Sequence, residues 1–173
     1  MQSSSRNLFR FGFSFLIGLL ALSLCPKNAI AMTFKNEIIV NQPFGALTAT
    51  VYADGEIKTG DSARLIEAIR SIDAPEVSAI FVIFNSPGGN LYEGIAMGRA
   101  LADYTKSVIG RIEGSCASAC TFAFIGTHYR VLSESSRFGI HQFSFSENST
   151  LGIADGQIVS ADVAKFIIDQ GVD

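Results

Sequence analysis

Short apolar runs alternate with amphipathic stretches along most of the chain. Val77–Phe84 is almost continuously apolar, which is typical of a parallel strand that is buried on both faces. The pattern predicts two further strands, at Leu47–Tyr52 and Ser107–Ile112. It predicts helices that run from Asp61 or Ser62 to about Ile72, from about Leu91 to Tyr104 and from about Ser118 to Ile125.

The C-terminal part of the chain is less regular. The sequence predicts two weaker strands, Tyr129–Leu132 and Phe138–His141, and a last helix from Ser160 to about Gln170. The polar, turn-rich stretch Ser144–Gly156 is predicted to be an exposed loop. The alternation of strands and helices favours an α/β fold with a mainly parallel sheet. Right-handed crossovers then bring the turns after the strands to one edge of the sheet, where we expect the functional site.

The first 31 residues have the three parts of a secretory signal peptide. Arg6 and Arg10 supply positive charge, Phe11–Leu24 is an apolar run of 14 residues, and Ala29-Ile30-Ala31 matches a small-residue cleavage site. The apolar run is shorter than the roughly 20 residues that a membrane-spanning helix needs. We therefore expect cleavage after Ala31 and export of residues 32–173, as one domain, to the periplasm or the medium. An uncleaved membrane anchor is the alternative.

The composition narrows the function classes. With 48% apolar and 17% charged residues, the 173-residue chain is expected to fold rather than to be disordered. Removal of Arg6, Arg10 and Lys27 with the signal peptide leaves 10 basic and 16 acidic residues, and 10 − 16 gives a formal charge of −6. This acidic balance, without any run of Lys or Arg, argues against a nucleic-acid partner. We expect neither a metal nor another cofactor.

Two small-residue turns follow predicted strands. Residues 85–89 (NSPGG) precede a helix, and their glycines can turn backbone N–H groups toward an oxyanion. A tight turn between a strand and a helix explains the same residues equally well.

In residues 114–120 (GSCASAC), Ser118 lies near a helix start, where first-turn N–H groups lack intrahelical partners. A helix cap followed by small packing residues is the alternative interpretation.

Two histidines are available as a base for a serine nucleophile. His141 follows a predicted strand, 23 residues after Ser118. His128 lies in a predicted turn and is expected to be exposed. Histidine is the usual base near neutral pH, although a structural role for His141 is also compatible with its position.

Taken in order, NSPGG, GSCASACTFAFIG and SSRFGIHQ resemble the motifs of Clp-type serine peptidases of the ClpP/crotonase fold, especially secreted relatives that do not depend on ATP. The resemblance covers about residues 47–170. It implies repeated β-β-α units, with Ser118 as nucleophile and His141 as general base. It also implies that the backbone N–H groups of Gly88 and Ala119 form the oxyanion hole.

The sequence departs from the family pattern in its catalytic acid. The family's acid lies well C-terminal to the histidine, so we expect either a missing C-terminal part or a Ser–His dyad that works alone. The remaining acids are Asp162, Asp169 and Asp173, and none lies in a matching motif. Because ATP is not available to an exported protein, no ATPase partner is expected. A homo-oligomer is left open.

Cys116 and Cys120 lie four residues apart, on either side of Ser118. On a regular helix this spacing places both side chains on one face, and a disulfide would need the backbone to depart from helical geometry. The sequence favours buried thiols at the helix start, and a disulfide is the alternative.

The residues and the resemblance together favour a serine peptidase that hydrolyses extended segments of a peptide or protein substrate. The first alternative is a catalytically inactive, exported binding or scaffold protein of the same fold. The argument for it is that no acidic residue of the chain lies in a motif that matches the family's catalytic acid. The second is a crotonase-type enzyme that acts on acyl thioesters. Such enzymes need no Ser–His pair, and acyl-CoA is not expected outside the cytoplasm.

Overall fold

The computed structural model describes residues 31–41, 46–140 and 150–172. The strands in these ranges are β1 (Thr33–Asn41), β2 (Ala46–Asp54), β3 (Val77–Ser86), β4 (Val108–Ala117), β5 (Tyr129–Val131) and β6 (Arg137–Gly139). The helices are α1 (Asp61–Ile72), α2 (Leu91–Ala102), α3 (Ala119–Ile125) and α4 (Thr150–Asp169). Within the same ranges, no helix combines the length and the hydrophobicity needed to cross a bilayer.

The strands form one sheet with β3 at its centre. Their order is β1-β2-β3-β4-β5, and β6 also pairs with β4. β1 runs antiparallel to β2, whereas all other pairs are parallel. The predicted α/β fold with a mainly parallel sheet is thus confirmed. Because β3 and β4 are parallel neighbours, their carboxyl ends and the turns that follow them meet at one edge.

β4 continues to Ala117, five residues past its predicted end at Ile112. The register between β3 and β4 shifts before the pair Ser86–Cys116, which marks a bulge in β4. Gly114 lies in this bulge with φ +94°. The small residues that predict a turn therefore form an irregular strand end, and the turn itself is confined to the residue after Ala117.

The core lies between the sheet and the helices α1, α2 and α3. β3 contributes Ile80, Val82 and Phe84, all fully buried, as the continuous apolar run predicts. Phe84 meets Phe124 of α3 edge to face, with 6.1 Å between the ring centroids. Burial of each such side chain stabilises the fold by roughly 1.5–3 kcal/mol.

A second cluster joins α2, α3 and α4. It consists of Ile95, Phe122, Ile125, Val159, Val163 and Phe166. Gly94 of α2 lies so close to the carbonyl oxygen of Ala119 that a Cβ atom there would overlap it. The missing side chain lets α2 pass directly behind the first residue of α3, and this packing sets the position of the turn before α3.

α1 begins at Asp61, one of its two predicted first residues, and neither Asp61 nor Ser62 is its N-cap. Gly60, with φ +91°, occupies the N-cap position. The fully buried Asp61 carboxylate instead accepts a hydrogen bond from the Lys58 N–H at 2.7 Å and forms an ion pair with Arg64. Asp61 therefore holds the turn that leads into the helix.

α4 begins at Thr150, ten residues before the predicted helix start at Ser160. Residues 150–156 of the predicted loop are therefore helical, and residues 144–149 lie outside the described ranges. The loop prediction depended on the polar residues and the two glycines of this stretch, yet a glycine costs a helix only about 1 kcal/mol. Once packing anchors the later turns, each added residue gains a helical hydrogen bond.

β1 is a strand that the sequence does not predict. Its residues Thr33–Ile39 are exposed except for the half-buried Phe34. An edge strand with one face in solvent needs few apolar residues, and here they do not alternate. Its pairing with β2 is nevertheless continuous from Thr33–Asp54 to Asn41–Ala46.

Asp73, Tyr104 and Lys106 join two connections at the amino edge of the sheet. The Lys106 ammonium lies 2.5 Å from Asp73 Oδ1, and the Tyr104 hydroxyl donates to Asp73 Oδ2 at 2.8 Å. The bond from Lys106 holds the pKa of Asp73 below its usual value, against the opposing effect of burial. Burial and then the bond to Asp73 raise the pKa of Tyr104 to about 12.

Candidate active site

Ser118 occupies the sharp turn between β4 and α3. Its φ of 54° and ψ of −124° make it the one residue other than glycine with positive φ among those the structure describes. Such a conformation costs on the order of 1–3 kcal/mol and persists only where surrounding contacts impose it. Strained residues of this kind cluster at active sites, and a serine on a strand-to-helix turn is a known arrangement for a nucleophile.

Backbone hydrogen bonds hold the turn on both sides. The Ser118 N–H donates to the carbonyl of Gly139 at 2.9 Å. The Ser118 carbonyl accepts from the Thr121 N–H at 2.9 Å and from the Thr121 hydroxyl at 2.6 Å. The side chain is half-buried, and its hydroxyl has no hydrogen-bond partner in the described part of the chain. The hydroxyl is therefore available to a base or a substrate.

The glycine turn after β3 lies against Ser118, so the predicted meeting of the two turns is confirmed. A Cβ atom on Gly88 would lie 2.7 Å from Ser118 Cβ and 3.0 Å from the nitrogen of Ala119. Gly88 also has φ +96°, a conformation that other residues rarely adopt. No side chain fits at Gly88 without displacing the Ser118 turn.

The two glycines differ in where their N–H groups point. The Gly88 N–H donates to the buried Ser86 hydroxyl at 3.1 Å. The Gly89 N–H has no acceptor among the described residues. The residues on either side of it bond to Ile57: the Gly88 carbonyl accepts from the Ile57 N–H at 2.8 Å, and the Asn90 N–H donates to the Ile57 carbonyl at 2.9 Å. Gly89 is therefore a candidate oxyanion donor beside the Gly88 that the resemblance implies, because a Gly-Gly pair in a sequence does not show which N–H is already bonded.

Ala119 supplies the second candidate N–H group. It is the first residue of α3, so its N–H has no partner within the helix. Its nitrogen lies beside Gly88, since a Cβ atom on Gly88 would come within 3.0 Å of it. One free N–H group therefore lies directly after Ser118, as an oxyanion hole next to a nucleophile requires.

Of the two histidines, the structure describes only His128. His128 is exposed, and its Nδ1 accepts a hydrogen bond from the Val108 N–H at 3.1 Å, at the opposite end of β4 from Ser118. His141 lies outside the described residues. The predicted Ser118–His141 pair thus remains a prediction, and β6, which ends at Gly139, leads toward that residue.

Two of the three acids considered from the sequence, Asp162 and Asp169, are described by the structure. Asp169 forms an ion pair with Lys165 at 2.9 Å. Asp162 lines a surface pocket with Arg99 between α2 and α4. Asp173 lies outside the described residues, within which no three metal-ligating side chains lie close enough to hold an ion.

Cys116 and Cys120 form a disulfide, with 5.3 Å between their Cα atoms, so the predicted buried thiols are wrong. The helical spacing argument fails because Cys116 belongs to β4 and only Cys120 to α3. The non-helical backbone of Ser118 between them brings the two side chains together. Both cysteines are fully buried.

A family model described as Clp protease matches residues 30–161. A ClpP1 mutant from Listeria monocytogenes has a similar structure, with a TM-score of 0.61 and 18% identity over 72% of this chain and 73% of that one. The ClpP protease catalytic domain from Plasmodium falciparum gives 0.53 and 21% identity over 69% of this chain and 64% of that one. No curated protein matches the sequence. Because the family model matches most of the length of this chain, the chain belongs to the Clp protease family.

Proposed function

We propose that this protein is an exported serine peptidase that cleaves extended peptide segments. Ser118 is the nucleophile, His141 the general base, and backbone N–H groups of Ala119 and the glycine turn form the oxyanion hole. The observation that carries the proposal is the strained conformation of Ser118 on a strand-to-helix turn, directly against Gly88. Membership of the Clp protease family supports the same chemistry.

The proposed reaction begins when His141 removes the proton of the Ser118 hydroxyl as the oxygen attacks the scissile carbonyl. The resulting oxyanion receives hydrogen bonds from the Ala119 N–H and from one N–H of the glycine turn. His141 then protonates the leaving amine, which departs and leaves an acyl group on Ser118. Water, deprotonated by the same histidine, releases the acid and restores the hydroxyl.

The second oxyanion donor is Gly88 or Gly89. The resemblance implies Gly88, yet its N–H is bonded to Ser86 and must leave that bond to serve. Gly89 needs no such change, since its N–H has no acceptor among the described residues. We therefore extend the proposal to Gly89 as the donor in the conformation described.

A Ser–His pair without an orienting carboxylate would still hydrolyse peptides, at a lower turnover. Loss of the orienting carboxylate costs about 10⁴-fold in a well-studied triad, but the oxyanion hole and substrate binding still accelerate the reaction. An extended substrate can add a strand beside the glycine turn, where backbone hydrogen bonds give affinity without strict sequence choice. We expect slow hydrolysis of unfolded polypeptides.

Export is supported by the charged and apolar start of the sequence and by the disulfide at the candidate site. Disulfides persist in oxidising compartments such as the periplasm and the extracellular space. ATP is not supplied there, so the proposal includes no ATPase partner.

Hydrolysis of an unfolded protein such as casein tests the proposal. Wild-type chain should release peptides, Ser118→Ala should release none, and Ser115→Ala should behave like wild type. Ser115 is a matched control because it lies three residues away on β4 and has no proposed role. Equal activity of Ser118→Ala and wild type, with both folded, would contradict the proposal.

A further inference from the structure

The Cys116–Cys120 disulfide closes a short ring of backbone around Ser118. We propose that this bond is a positioning device: it holds Ser118 in its strained conformation and the Ala119 N–H beside it. The inference rests on the proposed function and adds to it a requirement for the oxidised cysteine pair.

The bond joins two different elements across the turn. Cys116 lies in β4, where it pairs with Ser86 of β3 and Phe138 of β6. Cys120 is the second residue of α3. The sulfur bridge therefore anchors the start of the helix to the middle of the sheet, and only Ala117, Ser118 and Ala119 lie between the anchors.

The turn needs such an anchor because its conformation is unfavourable by itself. A residue other than glycine at positive φ tends to relax unless neighbouring contacts over-determine it. Each of two hydrogen bonds restrains the turn from one side: the Ser118 N–H donates to the Gly139 carbonyl, and the Ser118 carbonyl accepts from the Thr121 N–H. The disulfide restrains both ends of the turn at once, and the three residues between its two cysteines are the ones that face Gly88.

The surroundings of the bond indicate a permanent anchor. Both cysteines are fully buried in the main hydrophobic cluster, together with Phe84 and Phe124. Buried sulfurs at this depth are out of reach of thiols in solution while the domain is folded. The remaining fold has its own core, so loss of the bond is expected to affect the turn more than the sheet.

The test replaces the pair by Cys116→Val/Cys120→Ala, which refills most of the volume. Val108→Ala is the matched control, because Val108 is fully buried at the far end of the same strand. Two quantities are compared: the rate at which a fluorophosphonate labels Ser118, and hydrogen exchange of the Ser118 and Thr121 amides. The second does not depend on catalysis.

We expect the cysteine variant to melt cooperatively, to be labelled about 10²-fold more slowly than wild type, and to lose protection at both amides. In peptide hydrolysis its kcat should fall while its KM changes little. Val108→Ala should lose stability but keep the labelling rate and the protection.

Unchanged labelling and unchanged protection in the folded cysteine variant would overturn the inference. It would also be overturned if this variant and Cys116→Ala/Cys120→Ala both failed to fold, because the bond would then hold the whole domain. Absence of labelling in the wild type would refute the proposed function instead, and amide exchange would still decide whether the bond holds the turn.

Discussion

The N–H of Ser118 donates to the carbonyl of Gly139 at 2.9 Å, which ties the turn after β4 to the end of β6. Only Ile140 separates Gly139 from His141 in the sequence. The same bond that fixes the proposed nucleophile thus also fixes the strand that leads to the proposed base. This arrangement makes the Ser–His mechanism the natural hypothesis for the site.

Gly88→Ala should destabilise the fold and abolish the reactivity of Ser118. The new methyl group meets the Ala117 carbonyl, Ser118 Cβ and the Ala119 nitrogen, in addition to the cost of positive φ. Gly60→Ala is the matched control, since Gly60 has φ +91° and open space around it. The control should lose about 1–2 kcal/mol of stability and keep its reactivity.

Thermal unfolding and labelling of Ser118 by a fluorophosphonate, measured on both glycine variants, check this prediction. Equal losses of stability, with equal labelling per folded molecule, would mean that the turn after β3 has no special relation to Ser118.

His141→Ala should lower kcat by roughly 10²–10⁴-fold in a chain that still folds, because it removes the proposed general base. His128→Ala is the control, since His128 lies at the opposite end of β4. Steady-state hydrolysis of one peptide by both variants makes the comparison. If His128→Ala showed the larger loss of kcat, the assignment of the base would be wrong.

Tyr104 should make the fold sensitive to alkaline pH. Its pKa is raised to about 12 in the folded chain, so its contribution to stability is complete below the unfolded value of about 10. It is lost as the pH rises through 12, because the unfolded tyrosine releases its proton first. Tyr104→Phe should therefore lose less stability than wild type between about pH 10 and 12.

Urea unfolding across this pH range measures the effect, with Tyr92→Phe as a control at an exposed tyrosine. Parallel pH curves for wild type and Tyr104→Phe would show that the Tyr104–Asp73 bond does not link stability to pH.

The mature protein should begin at Met32. The Met32 side chain is 1% exposed, its N–H donates to the Glu56 carbonyl at 2.8 Å, and its carbonyl accepts from the Arg64 guanidinium at 3.1 Å. The ordered domain therefore includes the residue directly after the predicted cleavage site. Mass spectrometry of the exported protein should find this N-terminus, and a membrane-bound chain that begins at Met1 would contradict cleavage after Ala31.

The parts of the fold that depend on continuous burial could be predicted from the sequence. The apolar run of β3 and the small-residue turns that follow β3 and β4 place Gly88 and Ser118 at one sheet edge, and the structure agrees. The exposed strand β1 could not be predicted, because its residues carry no periodic hydrophobic signal. The early start of α4 was hidden by two glycines whose cost the rest of the helix outweighs.

The finer features of the candidate site depend on backbone angles that residue types do not specify. The disulfide forms because Ser118 leaves helical geometry, which the spacing of Cys116 and Cys120 alone does not reveal. Whether the Gly88 N–H is already hydrogen-bonded depends on the orientation of the Ser86 hydroxyl. Both are consequences of tertiary packing around one turn.

Reaction with a fluorophosphonate, followed by peptide mapping, tests the central claim most directly. The account predicts one labelled residue, Ser118, in the folded wild-type chain and no labelling in Ser118→Ala. Ser115→Ala should be labelled at the wild-type rate. A folded wild-type chain that stays unlabelled, or that is labelled at another serine, would contradict the assignment of Ser118 as the nucleophile.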